Sequence, residues 1–293
     1  MQALPGNVSS SQKTNRIQAR IEGEIMQSIG QGNILKMRTD LKNPVEYNLP
    51  IGPNLLPMNS LLGKKIQLSF DGRINCISSG EQIKKSYGQG YSYKSFITLA
   101  ECDMCMVRPE QCHYSKGTCR DNSWGEKHCL QPHFIYLAKT SHVKVGITRQ
   151  THVPYRWIDQ GADEVLPILK VKDRLTSGLV EVELAKAISD KTDWRAMLMG
   201  KTCDDDLIAI RENLFSQFGD LLDDTEAEDL QNTETIKINY PILEYPKKIN
   251  SLSFDKQSLI EGTLMGIKGQ YLIFDTGVIN LRKYQGYFID VLV

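Results

Sequence analysis

Apolar residues alternate along the first part of the chain: Ile17, Ala19, Ile21 and Ile25 fall on one face of Arg16–Met26, a strand pattern. Ile34–Leu41, Glu46–Leu49 and Lys65–Phe70 read as further strands, separated by Gly-, Asn- and Pro-rich turns. The stretch Cys76–Leu99 is rich in Gly, Ser and Tyr with little periodicity, which predicts a loop or short hairpin. Two short apolar strands, Phe134–Ala138 and Val143–Thr148, then flank Lys139-Thr140-Ser141-His142. Pro154 suits the first turn of a helix and Gly161 its end. Val165–Val171 is a third strand, and Ser177 is placed to cap a second helix in which Val180, Leu184 and Ile188 share a face. The predicted order here is β-β-α-β-α.

Beyond it, Leu207, Ile208, Ile210, Leu214, Phe215, Phe218, Leu221 and Leu222 keep helical spacing through Asp204–Leu222, and Asp223–Thr235 reads as a linker. From Ile236 onward the pattern is β again, with strands at Gly262–Ile267, Gln270–Phe274, Val278–Arg282 and Tyr287–Val293 and a hairpin turn at Asp275-Thr276-Gly277. The last strand is apolar to the terminus apart from Asp290, which predicts that it is paired and buried against the N-terminal β unit. The fold class is therefore α+β. The segments divide as a disordered tail (1–14), an N-terminal β unit (15–75), a cysteine-rich segment (76–133), the β-β-α-β-α core (134–202), an acidic helix with linker (203–235) and a C-terminal β unit (236–293).

Composition adds bounds. No apolar run reaches the length of a bilayer span, and the first residues lack a basic region followed by an apolar one, so neither a membrane helix nor a secretory signal is expected. The expected compartment is the cytoplasm. The formal net charge is zero, but its distribution is uneven. Asp204–Asp229 holds ten acids against Arg211 alone, leaving a net charge of +9 on the rest of the chain. A basic body with one acidic appendage is compatible with a phosphate-bearing partner, and the acidic helix is a candidate surface for a protein partner.

Five of the seven cysteines lie between Cys102 and Cys129. In a reducing compartment such clusters bind metal more often than they form disulfides. The run has the form C-x2-C-x6-C-H-x5-C-x9-C-x3-H, and thiolates and imidazoles so spaced suit a tetrahedral structural zinc. The candidate ligands are Cys102, Cys105, Cys112, Cys119, Cys129 and His133, with His113 and His128 as additional donors; the spacing does not choose four among them. The alternative is a set of buried, unmetallated thiols. Cys76, Ser79, Ser92 and Ser95 repeat a knuckle spacing with serine in three of four positions, so no metal is expected there. Cys203 reads as a packing or surface cysteine rather than a reactive thiol.

The β-β-α-β-α unit carries Tyr136, Lys144-Val145-Gly146, Arg149, Arg156 and Glu181. A tyrosine on one strand facing a glycine on the next predicts space for a substrate backbone; arginine complements phosphate, and a helical carboxylate can hold Mg²⁺. The structural alternative has Tyr136 in the core, Arg156 paired with Asp159 and Glu181 on a solvated face.

The peptides LAECDMCMVRPEQCHYSKGTCRDNSWGEKHC, HFIYLAKTSHVKVGITR, RWIDQGADEVLPILKVKDR, SGLVEVELA, TDWRAMLMG, YPKKINSLSFDK and GIKGQYLIFDTGVINLRK resemble a bacterial family, domain of unknown function 2797. That family carries a four-cysteine knuckle where this chain has Cys76, Ser79, Ser92 and Ser95. More distantly, the centre resembles the GIY-YIG nuclease core, with its first motif on Phe134-Ile135-Tyr136 and its second on Lys144-Val145-Gly146. The resemblance implies that Tyr136 helps activate water, Arg156 holds phosphate and Glu181 binds one Mg²⁺ or Mn²⁺. Phe134 stands in place of the first glycine, and Lys144 in place of the second tyrosine. The implied function is a zinc-containing, nucleic-acid-processing protein, a metal-dependent phosphodiesterase with Tyr136, Lys144, Arg156 and Glu181 at its site. The alternatives are a non-catalytic zinc protein that binds nucleic acid and a protein-interaction module.

Overall fold

The computed structural model describes residues 20–21, 24–188, 193–231 and 233–293. The expected tail (1–14) and the first part of the predicted strand Arg16–Met26 lie outside them. The described end of that strand forms a short hairpin, β1 (Arg20–Ile21) and β2 (Glu24–Ile25).

Strands from both ends of the chain build one antiparallel sheet. From the N-terminal part come β3 (Ser28–Asn33), β7 (Lys65–Asn75) and β8 (Gln82–Ile83); a separate three-stranded sheet holds β4 (Arg38–Asp40), β5 (Glu46–Ile51) and β6 (Asn54–Pro57). From the C-terminal part come β14 (Leu259–Lys268), β15 (Tyr271–Phe274), β16 (Gly277–Asn280) and β17 (Tyr287–Leu292). The large sheet has the order β16-β15-β14-β7-β17-β3, with β8 on β7. β17 thus pairs with β7 on one side and β3 on the other, and Ile289 and Val291 are fully buried there. The last strand finds partners on both sides, because a strand in the middle of a sheet satisfies its backbone groups with its neighbours.

The second sheet holds the core unit: β9 (His133–Lys139), β10 (Val143–Arg149), β11 (Glu164–Val171) and two short strands on β11, β12 (Glu228–Asp229) and β13 (Ile236–Lys237). Its order, β10-β9-β11-β12, leaves β10 at the edge. Helices α3 (Tyr155–Asp159) and α4 (Arg174–Leu184) follow β10 and β11, so the chain runs β-β-α-β-α. Strand alternation divides two cores. Ile135, Leu137, Val143 and Val145 pack with Val180 and Leu184 of α4 and with Leu207 and Leu214 of α6 (Leu207–Asp224). Tyr136 and Ala138 face the other way, against Trp157 and Ile158 of α3 and the large sheet. A bulge between Pro167 and Leu169 breaks the alternation of β11 and turns both Ile168 and Leu169 toward α4.

Several expected elements differ. Ser177 does not cap α4; Asp173 does, accepting from Thr176 N at 2.8 Å, because its carboxylate lies three residues before the amide it satisfies. Ser177 is instead buried in the helix, donating to Arg174 O at 2.7 Å. The stretch 76–99 contains a helix, α1 (Tyr93–Thr98), capped by Ser92; six residues are too short to show a period. Only Arg38–Asp40 of the Ile34–Leu41 stretch is a strand, with Ile34 in an isolated bridge to Ile51. The linker after α6 gives β12 to the edge of β11. Gly161 ends α3 region backbone at φ +70°, as its place in the sequence suggests. A short helix, α5 (Trp194–Leu198), packs Met197 and Leu198 against Ile273 and Val278 of the large sheet.

α3 is pinned from both β segments. Asp159, almost fully buried, accepts from Lys36 Nζ at 2.7 Å and from Gln270 Nε2 at 2.8 Å. Gln270 in turn exchanges hydrogen bonds with the backbone of Met37 at 2.8 and 3.0 Å. The pairing of Arg156 with Asp159 that the sequence permits is replaced by these long-range partners.

Candidate functional site

The cysteine-rich segment is a succession of short 3-10 turns ending in helix α2 (Asn122–His128). Ligand atoms of Asp103, Cys105 and His113 lie within 4.8 Å of one another, a candidate metal-binding group. Around them, Cys105, Cys112, Cys119 and Cys129 line a single small cavity of about 10 Å³, roughly the room one ion or water needs. Burial pushes the Cys105 thiol up to about 12, and Asp103, Cys112 and Cys129 add to it. Cys129 is raised by burial, with Cys112 and Cys119 contributing. Thiols that repel each other's negative charge are what a cation between them would relieve. The two donor sets overlap at Cys105, and Asp103 is also held by Arg120 Nε at 2.8 Å and faces His113 Nε2 at 3.5 Å. Among the described residues, Asp103, Cys105 and His113 are the donors that converge, while Cys112, Cys119 and Cys129 line the same small cavity beside them.

The remaining sequence candidates stand elsewhere. Cys102 closes one 3-10 turn while Cys105 sits in the next, capped by Asp103, so the C-x2-C spacing does not bring the two thiols to one point. Cys102 lines a larger neighbouring cavity. His133 is fully buried; its Nδ1 donates to Gln131 O at 2.7 Å and its Nε2 has no partner. His128 donates through Nδ1 to Trp124 O at 2.7 Å and stacks on the Trp124 ring. Cys76, Ser79, Ser92 and Ser95 do converge, with Cys76 Sγ 3.4 Å from Ser95 Oγ and Ser92 Oγ 3.1 Å from Ser95 Oγ. Burial raises the Cys76 thiol, but hydrogen bonds from Ser79 and Ser95 and the backbone of Ser79 and Ser92 outweigh it and hold the group at about 6.

The larger cavity, of about 550 Å³, opens beside edge strand β10. Arg156 from α3 and Glu181 from α4 both line it, although the two helices cover opposite faces of the sheet. Both reach it because β10 is the edge and the cavity lies around its end. Arg149, His152, Arg174 and Arg282 line it as well, with Glu101 and Asp103 as the other carboxylates.

Tyr136 lies beneath. Its register partner is Gly146, and a Cβ on Gly146 would stand 2.7 Å from the tyrosine Cζ. The space expected over this glycine for a substrate is thus filled by the Tyr136 ring, which crosses from β9 over edge strand β10. Its hydroxyl donates to Gln160 Oε1 at 2.8 Å and feels both Arg156 and Glu181. Burial pushes Tyr136 up to about 12, with Arg156 opposing and Glu181 reinforcing the rise, so the phenol stays protonated at neutral pH. Lys144 pairs with Ala138, one step further from the cavity along β10, and is not among the lining residues.

Burial lowers the guanidinium groups of Arg149, Arg174 and Arg282, and neighbouring arginines lower them further. Arg174 and Arg282 were not singled out by the sequence. Arg174 had a signal: it precedes Glu181 by seven residues, two helical turns, and so shares its face. Arg282 had none, since it arrives from a 3-10 turn more than a hundred residues away.

The cysteine-rich segment packs closely against α4. A Cβ on Gly178 would strike the backbone of Pro109 and Glu110, so only glycine allows this approach. Arg174 adds hydrogen bonds to Met106 O at 2.7 Å and Cys105 O at 3.4 Å. Among the described residues no helix is long and apolar enough to cross a membrane. No curated protein and no solved structure matches the chain. The family described as Protein of unknown function (DUF2797) matches residues 63–289, which hold most of the large sheet, the cysteine-rich segment and the cavity, and the chain belongs to that family.

Proposed function

We propose that this protein binds a nucleic-acid phosphodiester in the cavity beside β10 and hydrolyses it, with a structural zinc ion in the neighbouring cysteine cluster. The observation that carries the reading is the meeting of Arg156 and Glu181, from helices on opposite faces of one sheet, in one arginine-lined cavity with the Tyr136 hydroxyl beneath. This is the set that the GIY-YIG resemblance implies. Arg156 would hold the phosphate by its planar pair of donors, and the protonated Tyr136 would orient rather than accept a proton. Glu181 offers the hard oxygen that Mg²⁺ or Mn²⁺ takes alongside water, and a bound ion there would supply charge neutralisation and a more acidic water. Zinc suits the other site because Cys105 and His113 converge there with Asp103, beside three further cysteines lining the same small cavity. Lys144 has no part in this chemistry.

Incubation of the protein with radiolabelled single- and double-stranded DNA and RNA in Mg²⁺ or Mn²⁺ tests it. Cleavage is expected with at least one substrate and is expected to be lost in Glu181→Gln. No cleavage in any combination would overturn the catalytic reading. One observation favours a non-catalytic nucleic-acid-binding module as the second reading: Tyr136 is fully enclosed, with its hydroxyl bonded to Gln160. Salt-sensitive binding without turnover would establish that reading instead.

A further inference from the structure

The cavity beside β10 carries more cationic groups than one scissile phosphate needs. They follow one another from Arg282 through Arg156 and Arg174 to Arg149, each near enough to the next to be felt. Arg156 stands with Glu181 and Tyr136, and Arg282 lies close enough for the two guanidinium groups to repel. Beyond the effect of burial, Arg149, at the end of edge strand β10, is lowered by Arg174 in the first turn of α4, and Arg174 is in turn lowered by Arg156. Arg149 and Arg174 are not offset by the lining carboxylates in the same measure, because Asp103 is bound to Arg120 at 2.8 Å.

The arginines are also held in place before any ligand arrives. Arg174 is fixed by the carbonyls of Cys105 and Met106, and Arg149 Nη2 lies 2.8 Å from His152 Nε2. Arg282 Nε donates to Gln89 Oε1 at 2.8 Å. A guanidinium already ordered loses less entropy when it binds an anion. The walls limit what can enter. Gly88, Gln89 and Phe96 on one side and Cys102–Val107 on another confine a volume of about 550 Å³. That is within the range of small-ligand sites, roughly 300–1,000 Å³, and matches a strand end better than the long face of a duplex. Phe96 offers a ring on which a base can stack.

We propose that the cavity receives the end of a single nucleotide strand through two neighbouring phosphates, the inner one at Arg156 and Glu181 and a terminal one at Arg149 and Arg174. The inference rests on the phosphodiester reading and names its substrate class. The recognised chemistry is a pair of phosphates on a nucleotide-sized group, which a free nucleoside diphosphate also carries.

The test is equilibrium binding of fluorescent tetranucleotides without added Mg²⁺ or Mn²⁺. The strands carry a phosphate or a hydroxyl at their 5′ or 3′ end, and a blunt duplex and a nucleoside diphosphate serve as competitors. A terminal phosphate at one end is expected to tighten binding at least tenfold. Arg149→Gln is expected to reduce that preference below threefold, and Arg149→Lys to restore part of it. Should Arg149→Gln fail to fold, competition on the parent protein decides: pyrophosphate should displace the phosphorylated strand at a concentration at least tenfold below orthophosphate. Equal affinity for phosphate and hydroxyl ends, a duplex that binds as tightly as the single strand, or a nucleoside diphosphate that binds more tightly than any strand end would each overturn the proposal. Cleavage is read separately with Mn²⁺. End preference without cleavage would leave this site standing and remove the catalytic reading; cleavage without end preference would do the reverse.

Discussion

At the scale of residues, the tightest constraint in the centre is the contact of Tyr136 with Gly146. The ring occupies the volume a side chain on Gly146 would need, and the tyrosine is fully buried. Gly146→Ala must displace the ring from its place beside Trp157 and Gln160, and overpacking of this kind costs about 1–3 kcal/mol. A urea-unfolding midpoint lowered accordingly is expected; an unchanged midpoint would mean that the ring moves freely and that its position is not set by packing. The pairing itself was legible in the sequence, since alternation along two short strands puts Tyr136 and Gly146 on the same face. The direction of the ring was not, because it depends on Trp157 and the large sheet, which periodicity does not report. Lys144 illustrates the same limit from the other side: two residues from Gly146, it shares the face yet misses the cavity.

At the scale of elements, the short turns between Cys102 and Cys129 have little apolar content of their own. Of their cysteines only Cys105 and Cys129 are buried, beside Ala100 and Pro109. A segment with so small a core gains most from cross-linking by a metal, as the zinc proposal requires. The purified protein is expected to hold about one zinc per chain, and Cys105→Ala to lose it together with the order of this segment, while Cys76→Ala retains it. Metal analysis and hydrogen exchange over residues 100–130 check this; two zincs per chain, or none in reduced protein, would refute it. The sequence showed that metal donors cluster here, because cysteine spacing is a local signal. It did not separate Cys102 and His133 from the four thiols that share a cavity, because that separation is made by where each 3-10 turn stops.

At the scale of the whole molecule, β17 joins what would otherwise be two incomplete β segments. It makes both neighbours' hydrogen bonds, with Phe288 opposite Asn33 and Tyr287 opposite Ile74. Removal of residues 286–293 would therefore leave β3 and β7 with open edges and uncover part of the larger core. Loss of hydrogen-exchange protection in both Ser28–Asn33 and Lys65–Asn75 is expected, and a truncated protein in which Ser28–Asn33 keeps its protection would contradict it. The α+β class and the joining of the two ends were readable from strand patterns; the strand order was not, since register across two hundred residues is decided by packing alone. The same long-range packing sets the site, because Asp159 on α3 is held by Lys36 from one end of the chain and Gln270 from the other.

The close seat of α4 on Pro109–Glu110 has a thermodynamic consequence. With no side chain at Gly178 to act as a spacer, the cysteine-rich turns and the helix bearing Arg174 and Glu181 cannot shift independently. If occupancy of the cysteine cluster favours one placement of α4, an anion bound by Arg174 favours it too, and each ligand then raises the affinity of the other by the same factor. A chelator would then have to reach a higher concentration to strip the metal from protein saturated with phosphorylated ligand, and the protein's grip on that ligand would serve as a gauge of how much metal it holds.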